Sequence, residues 1–198
     1  MNHSPILFIS LGPGDPELIT LKGWKALQAA DIVFCPETAG RDGQRTSRAA
    51  DIVRQLDVDD NHIRRFLLPM SKRREAALEA YDGVYAQARA LQDEGMRVCI
   101  VAEGDAGFYS SVHYVFERLQ ADGRAVEHVA GIPAFIAAGA LAGLHTASQE
   151  QRPHGAQQPR QPGDAAHHPE KSAGGEDAGS RGFDFPVHVR RALFHAPL

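Results

Sequence analysis

Along residues 1–150, short apolar runs alternate with longer stretches in which apolar positions return every three or four residues. The runs Ile6–Ser10, Ile32–Cys35, Ile63–Leu68, Val98–Ala102 and Val126–Val129 are short and rich in β-branched residues, and they predict strands. Between them, Ala49, Ile52, Val53 and Leu56 repeat at helical spacing, as do Val112, Val115, Phe116 and Leu119. A longer stripe joins Leu78, Tyr81, Val84, Tyr85, Ala88 and Leu91. Such stripes face a core. Gly95 and Gly123 each fall after a predicted helix and before a strand, where a left-handed cap needs a residue without Cβ. The alternation predicts an α/β domain, an open and mostly parallel sheet with crossover helices.

The pattern breaks near Glu150. From Gln151 to Gly182 there is no Val, Ile, Leu, Met, Phe, Trp, Tyr or Cys, and such a stretch cannot build a core. Residues 151–198 hold 6 of the 12 prolines and 5 of the 10 histidines, which marks a change of composition and not an ordinary loop. We therefore expect a folded domain over 1–150 and a low-complexity, non-globular tail over 151–198. The apolar cluster from Phe183 to Phe194 is too short to fold alone. His154, His167 and His168 have no rigid scaffold to make them a metal site, and no metal is expected elsewhere.

Composition narrows the function classes. The 198 residues carry 21 basic and 25 acidic side chains, so the net charge of −4 gives no global argument for nucleic acid or an anionic membrane. Any anion site must be local. No membrane span and no export signal are expected. Cys35 and Cys99 both sit in buried-looking runs without a CxxC partner, which predicts a reduced, cytoplasmic setting.

Ligands of open α/β sheets bind beyond the carboxyl ends of the strands, and three strand-end segments stand out there. The first runs Leu11-Gly12-Pro13-Gly14-Asp15-Pro16-Glu17-Leu18-Ile19-Thr20. It is a tight turn open to close ligand approach, and it matches neither the dinucleotide fingerprint nor the P-loop. A purely structural turn with Thr20 capping the next helix is the competing reading. The second, Glu103-Gly104-Asp105-Ala106-Gly107-Phe108-Tyr109-Ser110-Ser111, gathers a carboxylate, aromatics and hydroxyls before a helix, which Ser110 or Ser111 is expected to cap. His113 reads as a surface or packing residue. The third, Ala130-Gly131-Ile132-Pro133, leads into an Ala/Gly-rich helix from Ala137 to Leu144, whose small residues suit close packing or a flat ligand.

Taken in order, these turns resemble the motifs of the tetrapyrrole (corrin/porphyrin) methylase family, over about residues 5–150. Gly12-Pro13-Gly14-Asp15 with Leu18-Ile19-Thr20-Leu21-Lys22 is similar to the first motif. Gly104-Asp105 with Phe108-Tyr109-Ser110-Ser111 and Tyr114 is similar to the second, in the form of the precorrin-2 C(20)-methyltransferase branch. Ala106, Ala130 and Pro133 depart from the family pattern. The resemblance implies methyl transfer from S-adenosylmethionine to carbon 20 of precorrin-2 or its cobalt form in cobalamin biosynthesis, by a homodimer. It places the donor against Gly104, Asp105, Tyr109, Ser110, Ser111, Ala130, Gly131 and Ile132. Gly12, Pro13, Gly14 and Asp15 would form the floor where donor and acceptor meet, with Asp15 or Asp105 assisting proton removal. Lys72, Arg73 and Arg74 are the candidates for the acceptor's carboxylates, with Arg64 and Arg65 nearby in or beside a strand.

Members of this family continue into a second α/β domain, where this chain has its tail. A frame shift or truncation is the expectation this suggests. Two other readings stay open: a donor-binding fragment without turnover, or another tetrapyrrole C-methyltransferase. A non-enzymatic interaction module stands against all of them.

Overall fold

The computed structural model describes residues 4–40, 42–69 and 74–145. The chain divides into two units, Met1–Ala137 and Ala138–Leu198. The expected boundary at Glu150, the tail 151–198 and its histidines lie outside the described residues.

The first unit is built on a parallel sheet. Its strands are β1 (Ile6–Ser10), β2 (Ile32–Ala39), β3 (Arg45–Thr46), β4 (Ile63–Leu67), β5 (Val98–Ala102) and β6 (Val126–Val129). Its helices are α1 (Leu21–Ala29), α2 (Arg48–Gln55), α3 (Arg74–Asp93), α4 (His113–Ala121) and the start of α5 (Ala134–Leu141). β2 lies parallel between β4 and β5, and β1 lies parallel between β5 and β6, which sets the order β4-β2-β5-β1-β6. Among the described strands only β3 runs antiparallel, against Thr38 and Ala39 at the end of β2.

Alternate residues of each strand enter different cores. Ile6, Phe8, Ile32, Phe34, Val98 and Ile100 pack under Tyr81, Val84 and Ala88 of α3 and Val115 and Leu119 of α4. Ile9, Val33, Cys35, Cys99 and Val101 pack under Leu27 of α1 and Ala49, Ile52 and Val53 of α2. Because both faces are covered, the strands read as continuous apolar runs rather than alternating ones. Burial pushes both thiols, Cys35 and Cys99, up to about 12, so they are packing groups and not nucleophiles.

The expected strands at Ile6–Ser10, Val98–Ala102 and Val126–Val129 are found with those bounds. β2 continues four residues past Cys35, through Pro36. Glu37 O receives the Leu68 N–H beside β4, so Pro36 presents its carbonyl to the other side, where the Ser47 hydroxyl donates to it at 2.6 Å. The described part of β2–β5 pairing has ended at Phe34, and a proline there costs no ladder bond. Gly95 and Gly123 take φ +81° and +71° at the ends of α3 and α4, as expected of left-handed caps. α5 begins three residues before the expected Ala137, with Pro133 O accepting the N–H of Ile136. Of the second unit, residues 138–145 are described, ending in a turn at Gly143 closed by Leu144 N–H to Gly139 O.

Candidate binding site at the carboxyl ends of the strands

The strand order fixes where chemistry can gather. β1 is flanked by β5 and β6, and all three run the same way, so the segments that follow them emerge side by side. Four links join these segments. Gly12 and Gly104 exchange N–H to carbonyl bonds of 3.0 and 2.7 Å. Ser10, fully buried at the end of β1, accepts the Ala106 N–H at 2.8 Å through its hydroxyl oxygen. The Thr20 hydroxyl donates to Ala130 O at 3.4 Å while accepting the Gly23 N–H that caps α1. Asp105 makes the fourth link.

The Asp105 carboxylate is 14% exposed and spans two loops. One oxygen accepts the Gly107 N–H at 2.9 Å, and the other accepts the Gly131 N–H at 2.6 Å and the Ser10 hydroxyl at 3.4 Å. A carboxylate that gathers backbone donors this way holds them in one geometry more firmly than a neutral acceptor does. Gly131 must be small for the same contact, because a Cβ there would lie 2.4 Å from Ser10 Cβ. His128 Nε2 completes the cluster, 3.4 Å from Ser10 Oγ and 3.9 Å from Asp105.

Above this polar lock the backbone is open. Gly104 has φ +70°, and a Cβ added to it would meet no atom within 4 Å. Tyr109 holds φ +50°, a left-handed conformation that is strained for a bulky residue, and it is 85% exposed. Phe108, 40% exposed, packs edge-on against Tyr109 and tilted against Phe135. A backbone outlier and exposed aromatic surface thus lie on the same segment as Gly104 and Asp105.

The structure thus brings Gly12, Gly104, Asp105, Ala130 and Gly131 together. Pro13, Gly14 and Asp15 continue the first segment, and one Asp15 oxygen accepts the Glu17 N–H at 2.9 Å to cap a 3-10 turn at Pro16–Leu18. Thr20 caps α1 as expected of the structural reading of the first turn. The expected capping of α4 by Ser110 or Ser111 is corrected: its N-cap is Val112, without a side-chain bond. The Ser111 hydroxyl is instead 2.6 Å from the Tyr81 phenol of α3, and Ser110 O lies 2.8 Å from His113 Nδ1. His113 is exposed beside the Tyr114 ring, as expected of a surface residue. Lys72 and Arg73 lie outside the described residues, and Arg74 opens α3. Arg64 and Arg65 lie exposed on β4, and Arg65 faces Asp60 at 3.9 Å.

Three side chains at this edge escape a reading of the sequence. Ser10 carried a signal, as the lone polar residue closing an apolar run. His128 and Arg48 carried none, because their neighbours here are distant in the chain. Among the described residues no cluster of His, Cys, Asp and Glu suits a metal ion, and no helix is long and apolar enough to cross a membrane.

The family model of the tetrapyrrole (corrin/porphyrin) methylases matches residues 5–174. The chain belongs to the tetrapyrrole methylase family. A relative in Methanocaldococcus jannaschii, named probable cobalt-precorrin-2 C(20)-methyltransferase, is 33% identical over 132 residues, which are 67% of this chain and 54% of that protein. Among solved structures, a cobalt precorrin-4 methyltransferase superposes with a TM-score of 0.53 at 25% identity, over 74% of this chain and 53% of that one. The uroporphyrin-III C-methyl transferase of Thermus thermophilus, in complex with S-adenyl homocysteine, gives a TM-score of 0.50 at 22% identity over 74% and 51% of the two chains. The chain therefore spans about half the length of these relatives, and over that part it shares the fold of the solved structures.

Proposed function

We propose that this chain supplies the donor-binding ledge of an S-adenosylmethionine-dependent C-methyltransferase whose acceptor is precorrin-2 or its cobalt form, methylated at carbon 20 in cobalamin biosynthesis. The observation that carries the reading is the meeting of three strand-end segments at one lock, with Gly104 left open above it. The C(20) position rests on the relative of that name and on the form of the second motif. Homodimer formation and a cytoplasmic setting belong to the same reading.

The residues present suit a flat nucleoside. Gly104 leaves bare backbone open to a ligand, and in this reading Tyr109 and Ser110 on its own segment and Ala130 and Ile132 on the segment after β6 line the donor. S-adenosylmethionine, when bound, brings a methyl group already activated on a sulfonium. What the chain must add is position and exclusion of water. In this reading Asp105 acts through the loops, since its carboxylate is held by Gly107, Gly131 and Ser10 and keeps Gly131 seated against Ser10. Asp15 lies exposed on the floor and is the better placed of the two proposed carboxylates to accept a proton from the acceptor carbon.

A second reading is donor binding without turnover by this chain, which spans 54% of the length of the C(20)-methyltransferase relative. Calorimetry of the purified full chain with S-adenosylmethionine and S-adenosylhomocysteine tests what both readings share. Binding of both ligands is the expected result, and binding of neither would leave only an interaction module. A methylation assay with precorrin-2 then separates turnover from binding alone.

A further inference from the structure

Arg48, the first residue of α2, lies across the floor of the site. Its guanidinium Nη2 is 3.5 Å from Pro13 O, and Nε is 3.8 Å from Glu103. Gly14 has no side chain where this group sits: a Cβ there would fall 2.1 Å from Arg48 Nη2. The turn after β1 and the segment after β5 thus both border one guanidinium, which remains 54% exposed. Its contact with Glu103, itself 46% exposed, is long and open to water, and such a pair leaves the cation largely available.

We propose that Arg48 is an acceptor-binding residue, whose guanidinium, seated against Gly14 with its outer face exposed, takes a peripheral carboxylate of an acidic tetrapyrrole. The inference rests on the functional reading above. A guanidinium suits this task because its planar fork can hold a carboxylate through two parallel N–H bonds. Glu103 competes for the same fork, so its charge tempers the affinity.

The test uses the full chain and uroporphyrin III, a stable octacarboxylate tetrapyrrole, titrated by fluorescence quenching with coproporphyrin III as the four-carboxylate comparison. Arg48→Ala is expected to weaken uroporphyrin binding about tenfold and to flatten its salt dependence. Arg48→Lys should lie between Arg48→Ala and the unaltered chain. Glu103→Gln should tighten binding several-fold, which a merely structural role of the Arg48–Glu103 pair would not produce. S-adenosylmethionine affinity, measured in parallel, shows whether each variant is folded. Unchanged porphyrin affinity in Arg48→Ala overturns the inference while donor binding keeps the functional reading. An unaltered chain that binds donor but no uroporphyrin overturns the inference too, and one that binds neither removes the reading beneath it.

Discussion

At the amino ends of the strands the connections are closed by charge on the surface, whereas at the carboxyl ends they are closed by an enclosed carboxylate and backbone amides. Before β5, Arg97 grips Asp31 through two parallel bonds of 2.8 and 3.2 Å, and before β6 Arg124 pairs with Asp93 at the end of α3. Gly95 and Gly123 end the preceding helices without strain. The opposite edge keeps a tyrosine at φ +50°, exposed aromatic rings and bare backbone at Gly104, yet it holds three segments in one register through Ser10 and Asp105. One edge is arranged for stability. The other combines a rigid lock with unrelieved strain at Tyr109, the combination that the proposed donor site calls for.

The sharpest way to break the contrast is Asp105→Ala. It strands the Gly107 and Gly131 N–H groups and should cost about 3 kcal/mol of stability, with about a hundredfold loss of S-adenosylmethionine affinity by calorimetry. An unchanged donor affinity would mean the lock does not shape the ledge. Gly131→Ala comes next, because its Cβ meets Ser10 at 2.4 Å. Overpacking of this kind should cost about 2 kcal/mol in urea unfolding, with a clear loss of donor affinity.

Tyr109→Gly should act in the opposite sense on stability. Relief of the left-handed strain is expected to raise stability by about 0.5–1 kcal/mol while donor binding weakens, and a parallel fall in both would contradict a strained residue retained for binding.

The smallest effect belongs to the amino edge. The Arg97 guanidinium, by its side-chain bond first, holds the Asp31 carboxyl at about 2, below its ordinary 3.8. A depressed carboxyl contributes stability that is present above the unfolded value and is lost as pH falls through the folded one. Thermal midpoints of the unaltered chain should therefore fall more steeply between about pH 4 and pH 2 than those of Asp31→Asn, with no change in donor affinity at neutral pH.

The strands were legible because a sheet covered on both faces needs unbroken apolar runs, so β1, β5 and β6 announce themselves with their bounds. β2 hid its second half, since Pro36 and Glu37 read as a strand end until β4 and Ser47 are seen to satisfy them. Helix stripes and glycine caps were equally local and equally readable. α5 began earlier than its apolar content suggested because Pro133 starts its first turn.

The site divides along the same line. Its glycines and Asp105 stand in local motifs, and their order along the chain was enough to point to the family. That Asp105 binds Gly131, 26 positions on, that Ser10 sits beneath both, and that Arg48 fills the place a side chain at Gly14 would take were decided by strand order alone. Sequence determines what short stretches of chain can do by themselves, through apolar period, turn chemistry and propensity. Contacts between segments separated by 26 to 118 residues exist only once the parallel sheet has set their ends side by side.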